Sequence, residues 1–421
     1  MNKSLKALFT LIFAALISSA MAQVEITYWQ YDFAARIDAM DQLIEQFNAE
    51  NPDIVVKQEI PAAYAGYEPA VAAAATAGTG PDIVQLFYGW VGPWERAGYI
   101  EPVPQEHFDH EWIQEFFIPS IEAVKVNGEY YGLPTSVRAL ALFYNKDHFR
   151  EAGLDPDSPP ATWDEFIEAG KALTVKSGSR FERAGFGIAV TGQDHHLVRT
   201  ILMNQLGTPP YSEDNTEVLY GNDIGAQAID FYTSLQLEHE IGLNELNPGA
   251  NGYRDGFRGF ENISMIIDGS FALADVRAVD FDWGVAEIPT FDNGVQSNFG
   301  SYWMNGFTSR AYESPEKLEA ASRFMKFITS EEAQLLWLDV VGELPAGQAT
   351  LDNPELEADP ELGAFIKGLR YAEATQFVDE AGQRDVLVDA INGVLLGEIT
   401  PEQAAEQAAA GDQALLDEFN K

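Results

Sequence analysis

Val24-Glu25-Ile26-Thr27-Tyr28-Trp29 opens the stretch that decides the architecture of this chain. Valine, isoleucine, threonine, tyrosine and tryptophan suit a pleated, half-buried surface, so these six residues read as a strand. Ile37, Met40, Ile44 and Phe47 then recur at helical spacing and stop before Pro52. Residues 54–60 read as a second strand, and 70–77 as an alanine-rich helix broken by Gly78-Thr79-Gly80-Pro81. Residues 83–87 read as a third, buried strand. Strand and helix alternate, which implies a mainly parallel sheet covered by helices. Ligands of such sheets sit beyond the carboxyl ends of the strands. Residues 30–33 and 88–90 fall there.

The alternation resumes after Tyr144. Residues 186–190 are strand-like and 226–237 helical. Residues 264–267 form a short strand ending at Asp268-Gly269-Ser270, and 283–288 a strand stopped by Pro289. Leu318, Ala321, Phe324 and Phe327 share one face of a later helix, and 385–419 is acidic, alanine-rich and helical in character. No repeat or low-complexity linker interrupts the middle of the chain, which fits lobes joined by several crossovers better than beads on a string.

Length and composition bound the rest. A chain of 421 residues, 46% hydrophobic and 12% aromatic, supports about two packed domains. Lys3 and Lys6, the apolar run 7–17 and the small-residue pattern Ala20-Met21-Ala22 read as a signal peptide over 1–22, cleaved after Ala22. The apolar run falls short of the roughly 20 residues needed to span a bilayer. With no cysteine there is no disulfide, no thiolate metal site and no lipid-bearing N-terminal cysteine. An exported, unlipidated chain is expected in a periplasm. The formal charge of −41 disfavours nucleic acid, anionic lipid and phosphorylated ligands at long range, and suits a neutral or cationic ligand. It also suits a salty habitat, where screening relieves self-repulsion.

Three mid-chain runs are more specific: Gly128-Glu129-Tyr130-Tyr131-Gly132-Leu133-Pro134, Leu142-Phe143-Tyr144-Asn145-Lys146-Asp147 and Pro160-Ala161-Thr162-Trp163-Asp164-Glu165-Phe166. Together they resemble the signature of the extracellular solute-binding proteins that serve ABC importers, in the maltose-binding-protein family. Asn51-Pro52-Asp53-Ile54, Gly80-Pro81-Asp82-Ile83-Val84 and Gly98-Tyr99-Ile100 resemble that family's first-lobe landmarks. Residues 260–269 resemble its second-lobe strand, and 320–342 with Glu343-Leu344-Pro345-Ala346 its late helix and return segment. The resemblance implies an α/β, periplasmic binding protein-like fold: two lobes, each with a mainly parallel sheet flanked by helices, joined by multiple hinge crossovers. It implies lobe one at 23–134 plus 290–329, lobe two at 139–283 plus 340–421, and hinges near 135–139, 283–290 and 330–340. It further implies a monomer without cofactor that captures a carbohydrate, an oligosaccharide above all, and delivers it to a membrane permease. A binder of a polyol or compatible solute and a secreted carbohydrate-active enzyme are the alternatives.

A sugar has flat apolar faces and a rim of hydroxyls, so rings cover the faces while planar charged or amide groups take the hydroxyls. By position in the family pattern the candidates are Tyr31, Asp32, Tyr88, Trp90, Arg138, Asp268, Ser270, Phe271, Tyr302, Trp303 and Glu343. Tyr302 and Trp303 are expected in a loop before the late helix. Tyr64 and Tyr67 flank Gly66 in a loop, Asp82 follows Gly-Pro, and Gln193 and His195 follow a strand end. Each has a duller reading: core packing for Tyr88 and Trp90, an inter-lobe ion pair for Arg138, a turn cap for Asp82. Trp29, Trp94, Trp112, Trp163 and Trp337 read as core. Arg138 departs from the maltose-binding member, which carries an acidic residue at the matching position. The change turns an acceptor into a donor, so either the sugar differs or the ligand bears a carboxylate.

Catalytic signatures are missing. His195-His196 lacks ligand spacing for a metal, and no Gly-x-Ser-x-Gly or phosphate-binding Gly-Lys-Ser/Thr run occurs. A glycosidase needs two carboxylates at a set separation, and 66 acidic residues supply such pairs by chance, so only the family resemblance argues against one.

Overall fold

Val24–Trp29 lies inside a five-stranded sheet ordered Ile54–Glu59, Val24–Trp29, Ile83–Phe87, Trp303–Phe307, Leu133–Pro134. The computed structural model describes residues 23–421 apart from Glu213 and Ala250, so the expected leader and its cleavage point lie outside the described residues. The first three strands run parallel, with Val24 opposite Ile54 and Tyr28 opposite Ile83. Trp303–Phe307 runs antiparallel to Ile83–Phe87, with Trp303 opposite Phe87. That register carries Trp303 to the carboxyl end of Ile83–Phe87.

The second sheet is ordered Trp283–Ala286, Leu140–Asn145, Ile263–Gly269, Arg180–Phe186, Val175–Ser177. Only Arg180–Phe186 and Ile263–Gly269 pair in parallel. Both sheets are therefore mixed, a refinement of the mainly parallel expectation. Parallel pairing needs a crossover that returns to the same sheet. Leu140–Asn145 and Trp303–Phe307 each enter from the other half of the molecule, so that constraint does not bind them.

Local signals set the helices. Ala34–Glu50 buries Arg36, Ala39, Met40, Leu43, Ile44 and Phe47 along one face. Ser314 caps Pro315–Ile328 by accepting from the Lys317 amide, and Pro315 suits the first turn, where its missing N–H costs nothing. Ser330 caps Glu331–Val341, and Gly342 ends it at φ 79, a left-handed conformation glycine adopts without strain. This last helix buries Ala333, Trp337 and Val341 and packs on Ala34–Glu50. The crossover expected near 330–340 is thus a first-half helix. Beyond it, Leu344–Pro345 pairs with Ser136–Val137 at the junction of the halves, and Gly363–Leu369 packs on Leu140–Asn145 in the second. The crossover expected near 283–290 also shifts. Trp283–Ala286 belongs to the second sheet, Thr290 bonds Ala161 and Trp163, and the chain enters the first sheet at Trp303. No described helix is long and apolar enough to cross a membrane.

Candidate functional site

The carboxyl ends of the first sheet collect rings. Tyr31 follows Val24–Trp29, and its hydroxyl accepts from Arg36 Nη1 at 2.7 Å. Its ring lies 4.5 Å from Trp303 and 5.5 Å from Tyr64. Trp90 meets Trp303 edge-on at 5.3 Å and stacks on Trp94 behind it. Arg36 backs the group, its guanidinium carbon 5.0 Å from the centres of both Trp303 and Phe33. Tyr64 is 52% exposed and Phe33 is also exposed, so part of this wall is free to cover an apolar ligand face. Asp32 is exposed beside it.

Charges converge where the halves join. Glu343 accepts from Arg36 Nη2 at 2.5 Å, Ser136 Oγ at 2.8 Å and Trp337 Nε1 at 2.9 Å. Burial alone would raise its pKa. The charges of Arg36 and Arg138 and the bonds from Trp337 and Arg36 outweigh that and hold the carboxyl at about 2. Arg138 Nε lies 3.7 Å from the same carboxylate, beyond hydrogen-bond range. Burial pulls the Arg138 pKa below its ordinary value, Glu343 opposes that, and Arg36 adds to it.

The second half supplies the facing wall. Ile263–Gly269 ends with Asp268, whose two oxygens take a bidentate pair from Arg254 at 2.6 and 2.8 Å. The half-buried Phe271 ring centre lies 5.2 Å from the guanidinium carbons of both Arg138 and Arg254. Ser270 is buried and its hydroxyl has no partner among the described residues. Past Arg180–Phe186, a widened helical segment over 190–202 carries Gln193, Asp194, His195 and His196. Asp194 accepts from the Ala189 amide and the Tyr232 hydroxyl, and burial raises its pKa to about 7 despite those bonds. Burial, with the charges of Arg199 and Arg384, lowers His195 to about 3. His196 stacks on Phe299 at 3.7 Å, and burial lowers it well below the ordinary range. Both rings are therefore neutral.

Twelve of the sixteen expected residues sit on the strand ends and segments just described: Tyr31, Asp32, Tyr64, Trp90, Trp303, Arg138, Glu343, Asp268, Ser270, Phe271, Gln193 and His195. The other four are buried in packing and pairing contacts. Asp82 sits at the amino end of its strand, away from the cleft, where it accepts from the Thr27 amide and pairs with Lys317, both at 2.8 Å. Tyr67 is fully buried and its hydroxyl donates to the Gln85 carbonyl. Tyr88 and Tyr302 stack on each other at 4.7 Å in the interior, and Tyr302 donates to the Ser120 carbonyl. Two of the twelve act on other side chains: Glu343 holds Arg36, and Asp268 holds Arg254. Trp303 starts a strand where a loop was expected.

Other contributors escaped the sequence. Arg36 interrupts an apolar helix face four residues before Met40, a legible sign of a buried charge. Arg254 finds Asp268 only through the fold. Phe377 reaches across to within 6.5 Å of Phe87 and 6.2 Å of Tyr88. Glu380 and Arg384, on the helix Glu380–Leu395, place charges near Tyr64. No three His, Cys, Asp or Glu side chains among the described residues are grouped to hold a metal.

Two sheets whose strand ends meet at one junction, with rings on one side and paired charges at the join, fit a two-lobed binding protein. The chain belongs to the family of bacterial extracellular solute-binding proteins, whose model matches residues 34–335. The sn-glycerol-3-phosphate-binding periplasmic protein of Yersinia enterocolitica is 25% identical, covering 98% of this chain and 96% of that one. A putative binding protein of Brucella abortus is 26% identical over 96% and 95% of the two chains. Among solved structures, the cyclic alpha-maltosyl-1,6-maltose binding protein from Arthrobacter globiformis superposes with a TM-score of 0.82 at 20% identity, covering 94% of this chain and all of that one. The maltose/maltodextrin-binding domain of Bdellovibrio bacteriovorus, bound to maltotriose, gives 0.74 at 22% identity, covering 93% and 99%. At these identities the structural likeness is one of fold.

Proposed function

We propose that this protein captures a carbohydrate between its two lobes in the periplasm and hands it to an ABC-transporter permease. The observation that carries the reading is the ring wall of Tyr31, Tyr64, Trp90 and Trp303, with Phe271 on the facing half. Stacked rings bury the apolar faces of a sugar, and such clefts add a few placed polar groups. Lobe one takes the first sheet with the helices through Glu331–Val341. Lobe two takes the second sheet with the C-terminal helices. Segments 135–139, 300–302 and 342–347 join them. Ligand acts by favouring a closed arrangement that already exists in equilibrium with an open one. The bound sugar leaves unchanged, so the protein is a carrier, working as a monomer. Relatives named for maltodextrins and for sn-glycerol 3-phosphate both support a polyhydroxylated ligand.

A thermal-shift screen of residues 23–421 against oligosaccharides, polyols, amino acids, polyamines and divalent metals tests this. A ligand that binds only the native state raises the melting temperature by mass action. The expected result is a rise with one carbohydrate or polyol set, the ligand being recovered intact. A rise confined to amino acids, polyamines or metals, or recovery of cleaved sugar, overturns the reading.

A further inference from the structure

We propose that the ligand carries an anionic group, a carboxylate or a phosphate ester, that docks on the Arg138 guanidinium where the lobes join. This rests on the carbohydrate reading and narrows it. Arg36 and Arg138 share one carboxylate, and the hydrogen bonds of Glu343 go to other groups: Oε1 takes Arg36, while Oε2 takes Ser136 and Trp337. Arg138 is left with a 3.7 Å ion-pair distance and no side-chain hydrogen bond to any described residue.

The other cations nearby each have a carboxylate partner, Arg199 on Asp412 at 3.5 Å among them, although Nε of Arg36 and Nε and Nη1 of Arg199 are also buried without a hydrogen-bond partner among the described residues. Arg254 is bidentate on Asp268. Arg384 pairs with Asp385 at 3.1 Å and Glu380 at 3.6 Å. His195 and His196 are neutral. The Arg138 side chain is only 16% exposed, and its Nε is buried without a hydrogen-bond partner among the described residues. A buried charge is expensive unless it is paired and hydrogen-bonded. A neutral diol would satisfy its donors and leave the charge unmatched, whereas an anionic oxygen pair fits the guanidinium fork and cancels the charge.

The Ser270 amide donates to the Ala139 carbonyl, next in sequence to Arg138, and the buried Ser270 hydroxyl has no partner. The backbone of Ser270 is thus tied to the residue after Arg138, which brings a second polar side chain without a partner among the described residues into the same segment. The chain's overall negative charge does not prevent this. Distant exposed charges are screened beyond about 8 Å at physiological salt, while a partly buried guanidinium is screened far less.

Calorimetry on residues 23–421 with two matched pairs tests the proposal: glycerol against sn-glycerol 3-phosphate, and galactotriose against trigalacturonate. The anionic member of one pair is expected to bind at least about tenfold tighter than its neutral partner, and that pair identifies phosphate or carboxylate as the source. Arg138→Gln is expected to collapse the ratio, and Arg138→Lys to retain part of it. Equal affinity within both pairs overturns the proposal, as does an unchanged ratio in Arg138→Gln. Tight binding of neutral sugars without anion preference sinks this inference and leaves the carbohydrate reading standing. Failure of every sugar and polyol to bind removes both. The wild-type comparison needs no variant, so misfolding of Arg138→Gln cannot shelter the idea.

Discussion

Arg36, near the start of the helix Ala34–Glu50, donates a 2.5 Å hydrogen bond to Glu343, 307 residues further along the chain, with side chains 2% and 1% exposed. The pair bolts the first-lobe wall to the segment that follows the helix Glu331–Val341. Removing one partner of a buried pair strands the other charge, which typically costs about 3–5 kcal/mol. Glu343→Ala should therefore destabilise the protein by that order in urea unfolding at pH 7. The pH dependence has a definite direction. The Glu343 carboxyl is depressed from 4.5 to about 2 in the folded state, so its stabilisation is full above 4.5 and lost as pH falls toward 2. The stability gap between wild type and Glu343→Gln should shrink by roughly 3 kcal/mol across that window. A gap that is the same at pH 5 and pH 2.5 would show that the pair is not charged in the fold.

Tyr64 separates binding from packing. It is 52% exposed and touches the wall only through ring edges with Tyr31 and Trp303 and a tilted approach to Trp90. Surface substitutions of this kind usually change stability by less than about 0.5 kcal/mol. A ring contact beyond simple burial is worth about 0.5–1.5 kcal/mol. Tyr64→Ala should leave the denaturation midpoint nearly unchanged and weaken carbohydrate binding by about 3- to 10-fold in calorimetry. Unaltered affinity would remove Tyr64 from the site. Trp303 cannot serve this test, because it is buried against Arg36 and its loss would unfold as well as unbind.

Much of this fold is legible in the sequence, for reasons visible in particular residues. Val24–Trp29 and Ile83–Phe87 announce themselves because β-branched and aromatic residues crowd short runs. Trp303–Phe307 does not, because Asn305-Gly306 imitates a turn. In the structure Asn305 is a core amide that donates to the Leu133 carbonyl and Thr135 hydroxyl and accepts from the Tyr28 hydroxyl. The site divides similarly. Position after a strand end singled out Tyr31, Trp90 and Phe271, and each does follow a strand. It could not tell Trp90 from Tyr88, since the chain turns into a tight helical turn over Tyr88–Trp90, where residues two apart point in different directions. The Arg36–Glu343 pair spans most of the chain, so no spacing rule reaches it.

Gly89 offers a handle on closure. A Cβ built there lies 2.6 Å from the Phe87 ring and 2.8 Å from the Phe377 ring, which comes from the other half of the molecule. Contacts below 3.0 Å force something to shift. Phe87 packs among its own lobe's rings, whereas Phe377 can retreat with its lobe. Gly89→Ala should therefore bias the protein toward an open arrangement. The expected readouts are a larger radius of gyration in solution scattering without ligand, and weaker ligand binding with little loss of chemical stability. An affinity and a radius both equal to wild type would mean that Phe377 yields locally and that this contact does not report on closure.

His195 makes the sharpest pH prediction. Both its ring nitrogens are buried without a partner among the described residues, and burial, reinforced by the charges of Arg199 and Arg384, lowers its pKa from 6.5 to about 3. The unfolded chain therefore takes up a proton near pH 6.5 that the folded chain refuses. Stability from this residue is complete above 6.5 and declines as pH falls toward 3. At pH 5 the loss amounts to about 2 kcal/mol. His196, its ring centre 3.8 Å away, acts in the same direction. Asp194 acts in the opposite one. Burial raises its carboxyl to about 7, so the folded state keeps a proton between 7 and 3.8 that the unfolded state releases, which adds stability as pH falls. The wild-type profile mixes these effects, and the difference between wild type and His195→Gln isolates the imidazole. His195→Gln should gain about 2 kcal/mol on wild type between pH 7.5 and pH 5 in urea unfolding. A constant difference across that range would mean that His195 takes up its proton in the folded state too, and would overturn its assignment as a buried neutral ring.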